Sequence, residues 1–129
     1  MKLVTLVTLA AAPVLFAATA FAADLGSEIN NAAQHAGLAA QAANINGVHQ
    51  HMHHALNCLV GPQGDGFDAK EMNPCAQSGN GAIPDETNQM NKTKLMTARD
   101  NLSKGIALTD ISAAKADASA AQAAIESAK

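Results

Sequence analysis

Wherever this chain has an apolar period, alanine fills most of it. Over residues 23–44, Leu25, Ile29, Ala32, Ala36, Ala39, Ala40 and Ala43 recur at steps of three and four. Near the other end Ile111, Ala114, Ala118, Ala121 and Ile125 do the same. Such spacing lines one stripe of an α-helix. Alanine stripes let helices pack closely but bury little apolar area, at about 25 cal/mol per Å². A chain built this way needs staples beyond its core.

Two more stripes complete a set of four. Val48, Met52, Ala55, Leu56 and Leu59 share a face over residues 47–60, after a turn at "NING", Asn44 to Gly47. Leu95, Ala98, Leu102 and Ile106 mark a helix that starts near Asp85 or Thr87 and closes about Gly105. Asp24 or Ser27 is the expected cap of the first helix, and Thr109 or Asp110 that of the last. Between the two pairs, "GPQGDGFDAKEMNPCAQSGNGAIPD", residues 61–85, is rich in Gly and Pro and keeps no period. The expected fold class is therefore all-α. The simplest closure is an antiparallel four-helix bundle made of two helical hairpins, with a long loop between helices 2 and 3. A weak internal echo accompanies it, since Ile45, Val48, Met52, Ala55 and Leu59 are spaced like Ile111, Ala114, Ala118, Ala121 and Ile125.

The first 22 residues read as a cleaved signal peptide. Lys2 starts the segment, an apolar run from Leu3 to Phe16 follows, and small residues end it around Ala20 to Ala22. Pro13 interrupts the run and no second long one follows, which argues against a membrane anchor. Residues 23–129 are then a single domain expected in the periplasm, with no membrane association after cleavage. Its cysteines, Cys58 and Cys75, have sixteen residues between them and fit neither C-x-x-C nor a zinc ribbon. In an oxidising compartment they are expected to form a disulfide that ties the loop down, worth about 3 kcal/mol for a loop of this size.

Composition removes several function classes. The net charge is −3, with no basic patch for nucleic acid. Trp and Tyr are absent, and Phe67 is the sole aromatic outside the leader. Base stacking and an aromatic cofactor pocket are thus poorly supplied. Haem is disfavoured for the same reason and because no C-x-x-C-H occurs. An enzyme built on Cys58 and His54 would need a free thiolate, which the expected disulfide removes.

What remains is histidine. His49, His51, His53 and His54 fall within six residues, and His35 is the fifth and last of the chain. At 100° per residue, His49 and His53 lie on one flank of the second helix and His51 and His54 on the other, with Cys58 beyond. Residues three or four apart on a helix are about 5–6 Å from each other at Cβ, close enough for two imidazoles to share one ion. If the chain reverses near Asn46, His35 comes close to His54, so His35, His51 and His54 form one candidate site. His49 with His53 forms a second, more open one. Imidazoles suit copper, nickel and zinc, and the affinity order puts Cu²⁺ first. Carboxylates are scarce around the cluster in sequence, which argues against calcium, magnesium and di-iron chemistry. Met52 is a soft ligand type, but its place on the apolar stripe assigns it to the core.

The stretch "AAQHAGLAAQAANINGVHQHMHHAL", Ala32 to Leu56, resembles the alanine-and-histidine helices of small metal-binding proteins of the bacterial periplasm. The resemblance implies an exported four-helix bundle whose helix-borne histidines bind divalent metals, and carries over His35, His49, His51, His53 and His54 as candidate ligands. This chain departs from that pattern in having no histidine in its second half and an extra loop bearing Cys58 and Cys75. One or two sites are expected rather than many. The expected function is binding or buffering of a divalent transition metal in the periplasm, without catalysis. The alternative is a helical interaction protein that docks a periplasmic partner, or a second copy of itself, through its alanine-rich faces or long loop.

Overall fold

A computed structural model describes residues 22–129; the predicted leader lies outside the described residues but for its last position. Among the described residues all regular structure is helical. The elements are α1 (Leu25–Gln41), α2 (Ile45–Val60), the one-turn α3 (Ala82–Asp85), α4 (Gln89–Ile106) and α5 (Ile111–Glu126).

Every long helix opens on an Asp or Asn that satisfies the free amides of its first turn. The Asp24 carboxylate accepts from the Ser27 amide and the Asn44 side chain from that of Gly47. Asn88 accepts from the amides of Met90 and Asn91, and Asp110 from that of Ala113. These caps explain where the boundaries differ from the sequence reading. α1 stops at Gln41 because Ala42 turns extended and Asn44 is needed to cap α2, which begins two residues early at Ile45. α4 starts later than expected, since Asp85 is used elsewhere: its carboxylate accepts from the Asn80 amide at 2.7 Å. The one-turn α3 lies in the stretch that carries no apolar period.

α1 packs against α2 and α5, and α4 against α5 and α2. Neighbours run in opposite directions. The Lys115 Nζ near the start of α5 donates to the Ala42 carbonyl just past the end of α1, while Gln122 lies against Gly37. Lys104 pairs with Asp117 at 2.9 Å across α4 and α5, and Met52 of α2 packs on Gly105 of α4. Met52, Leu59, Leu95, Leu102 and Ile125 are the large side chains buried at the centre, with alanines filling the space between them. Met52 is thus core, as its stripe required. α2 and α5, the two halves of the internal echo, are both 16 residues long.

The long connection is tied at three levels. Cys58 and Cys75 form a disulfide with Cα atoms 5.2 Å apart. One residue back on α2, fully buried Asn57 clamps the loop by its amide. Its Nδ2 donates to the carbonyls of Asp68 at 2.9 Å and Met72 at 3.2 Å, and its Oδ1 accepts from the Asp68 amide at 2.9 Å. At the neck, Gly61 and Gly81 lie backbone to backbone. Opening the disulfide should lower the unfolding free energy by about 3 kcal/mol. Urea denaturation with and without reductant reads this directly; an unchanged midpoint would mean that Asn57 and the glycine neck close the loop unaided.

Glu28 of α1 anchors the same neck from beneath. It is fully buried, and its Oε1 accepts from the Gly81 amide at 2.8 Å. Burial raises its pKa to about 7, the Gly81 hydrogen bond opposes that rise, and the neighbouring Asp85 adds to it. The folded protein therefore holds a proton there that the unfolded chain releases near pH 4.5. Stability from this group is full below about pH 4.5 and is lost as pH rises through about 7. A Glu28→Gln variant keeps an amide hydrogen in place of that proton. Its stability relative to wild type should rise by about 2–3 kcal/mol between pH 4.5 and 8, with the gain levelling above about pH 7. Denaturation curves of both proteins across that range test the sign, since the histidines contribute equally to the two. A constant difference would contradict the assignment.

Candidate metal centre

α1 and α2 are joined by three residues, so their facing flanks are held in register close to the turn. That register brings His35 of α1 against His51 and His54 of α2. The ring centroids are 5.5 Å apart for His35 and His51, 5.1 Å for His35 and His54, and 5.8 Å for His51 and His54. One ring nitrogen from each of the three lies within 4.8 Å of the others, a group able to hold a metal ion. His35 Nδ1 and His51 Nδ1 approach to 3.3 Å. Two nitrogens bound to one tetrahedral ion at about 2.0–2.1 Å would be about 3.3–3.4 Å apart.

The electrostatics favour lone pairs over protons. Burial, then the neighbouring His54 and His51, push the His35 pKa down to about 4. Burial also lowers His54, against an opposing pull from Glu71. Both rings are neutral at ordinary pH, as metal ligation requires. His54 is 5 % exposed, and its Nδ1 has no hydrogen-bond partner among the described residues. Its Nε2 faces the Glu71 carboxylate at 3.5 Å.

His49 and His53 stand apart from this group. His49 Nε2 is 2.8 Å from the Leu108 carbonyl, which makes it a donor to the end of α4. His53 Nδ1 lies 3.8 Å from the Asp68 carboxylate. The two line an open hollow with Asn44, Gln50 and Glu71. The described residues hold a single cluster of three or more His, Cys, Asp or Glu side chains that meets the distance condition for a metal, and neither His49 nor His53 belongs to it.

The loop adds to the histidines what their sequence neighbourhood lacks. Carboxylates are scarce near the histidines along the chain, yet Asp68 and Glu71 reach them in space. They meet outer imidazole edges and form no oxygen cage, so the candidate set stays all-nitrogen. Asn57 puts them there, and its signal was present as a lone amide within the apolar run "ALNCLV" at the end of α2. Both cysteines are consumed in the disulfide and offer no thiolate to the site. No helix among the described residues is long and apolar enough to cross a membrane. No family model, curated protein or solved structure matches the chain.

Proposed function

We propose that the protein is an exported antiparallel four-helix bundle that binds one divalent transition metal ion through His35, His51 and His54 and buffers or hands it over in the periplasm. The observation that carries this reading is the 3.3 Å approach of two part-buried imidazole nitrogens, with the buried, unpartnered Nδ1 of His54 on the third ring beside them. Without an ion, that arrangement leaves a buried polar atom unsatisfied, which costs about 1–3 kcal/mol. A bound ion satisfies all three rings together. Export is supported by the leader-like start of the sequence and by the disulfide, a bond that persists in oxidising compartments.

Three nitrogens leave at least one coordination position open. An open position suits a carrier, because a receiving ligand can attack the ion before it leaves. Copper, nickel and zinc all accept imidazole, and copper leads the affinity order. The separation of the two Nδ1 atoms suits tetrahedral geometry, which favours Zn²⁺ where the two compete on shape. Both cysteines are bonded to each other and supply no thiolate, so in this reading the ion is cargo held by imidazoles alone. Native mass spectrometry of the metal-free chain after equilibration with Zn²⁺, Cu²⁺ and Ni²⁺ in turn tests it. One equivalent is expected to stay bound; a chain that emerges metal-free from all three would end the proposal.

A further inference from the structure

We infer that Glu71 is a positioning residue for the metal centre, fixing His54 as the tautomer that carries its hydrogen on Nε2 and offers Nδ1 to the ion. The inference rests on the metal-binding reading and adds an outer residue that the histidine pattern did not contain. Three observations converge on it. Glu71 Oε2 lies 3.5 Å from His54 Nε2. The opposite nitrogen, Nδ1, is buried and unpartnered, while one nitrogen of this ring stands within 4.8 Å of ligand atoms from His35 and His51. A neutral imidazole has one hydrogen and one lone pair, so a carboxylate that holds the hydrogen at Nε2 leaves the lone pair at Nδ1. Metal-bound histidines commonly donate their second nitrogen to a carboxylate in this way, which orients the ring and raises its basicity.

The backbone around Glu71 is built to hold that carboxylate in place. The amide of Asn57, one turn beyond His53 on α2, receives the 68–72 segment through Asp68 and Met72. Asn57 Nδ2 also lies 3.4 Å from the Glu71 carbonyl itself. The Cys58–Cys75 disulfide fixes the same stretch from its far side. His54, Asn57 and Cys58 therefore share one flank of α2. The first meets the ion, the second clamps the loop, and the third anchors it. The long connection thus serves as the outer wall of the metal centre.

The test uses the full processed chain and its Glu71→Ala, Glu71→Gln and Glu71→Asp variants. Zinc affinity is read by competition with a chromophoric chelator, and the His54 tautomer by ¹⁵N shifts of the metal-free protein at pH 8. Glu71→Ala should weaken zinc binding by about 10- to 100-fold. Glu71→Gln, whose amide oxygen still accepts from Nε2–H, should recover part of that loss. In wild type the His54 shifts should report hydrogen on Nε2, and in Glu71→Ala a mixture of tautomers. Unchanged zinc affinity in Glu71→Ala, or a wild-type His54 with its hydrogen on Nδ1, overturns the role given to Glu71 while leaving the three-histidine site standing. A wild-type chain that takes up none of Zn²⁺, Cu²⁺ and Ni²⁺ overturns the metal reading itself, and with it the role of Glu71.

Discussion

Gly81→Ala should destabilise this protein by more than about 3 kcal/mol, or prevent it from folding. Gly81 adopts φ +112°, which L side chains rarely reach. A Cβ there would also fall 2.5 Å from the Gly61 amide nitrogen and 2.6 Å from the Val60 carbonyl carbon. Gly61 is the reciprocal case, at φ +68°, with an added Cβ only 1.6 Å from the Asn80 carbonyl oxygen. The obstructing atoms are backbone and cannot swing aside. The two glycines let the chain leave α2 and re-enter at α3 through one narrow neck, beside the Glu28 carboxylate that binds the Gly81 amide. A substitution must push the strands of the neck apart and break that hydrogen bond. The alanine-built core has little stability in reserve, so thermal and urea melts should show a loss far larger than that from Gly26→Ala. An added Cβ at Gly26 meets nothing closer than 3.6 Å. Equal melting of the two variants would contradict the close crossing.

The largest functional effects should divide the five histidines three against two. Replacing His35, His51 or His54 singly by Ala should weaken zinc or copper binding by about 100-fold or more, beyond the upper end of what outer residues contribute. His49→Ala and His53→Ala should change it several-fold at most. His49 already donates to the Leu108 carbonyl, and His53 Nδ1 lies beside the Asp68 carboxylate. His49→Ala should instead cost some stability, because it removes a link between α2 and the end of α4. Competition titration of the five variants separates these outcomes. Equal losses at all five would point to a diffuse histidine surface with no defined centre.

Much of this architecture is legible in the residues. Steps of three and four mark four helices because alanine, leucine and isoleucine at those positions have one face to bury. Asp24 and Asp110 mark the starts of α1 and α5 because short polar side chains satisfy the first free amides, whereas Asn44 reads in sequence as part of a turn. The pairing of Cys58 with Cys75 follows from count, since the chain has no third cysteine to compete. His35 finds His51 and His54 because a short turn leaves α1 and α2 little freedom of register. The loop was opaque for a physical reason: its order comes from contacts with no local period. Asn57 reaching Asp68 and Met72, Glu71 reaching His54, and Glu28 reaching Gly81 are each set by the closure of the whole chain. Neither a helical stripe nor a turn signal encodes such pairings. Scarcity of carboxylates along the sequence was therefore a poor guide to the charge around the histidines.

The central claim is that His35, His51 and His54 jointly hold one ion, and anomalous diffraction at the zinc edge from a zinc-loaded crystal tests it most directly. One strong peak is predicted, about 2.0–2.1 Å from a nitrogen of each of the three rings, with Nδ1 as the His54 ligand. No peak between α1 and α2, or a peak held by His49 and His53 alone, would contradict it.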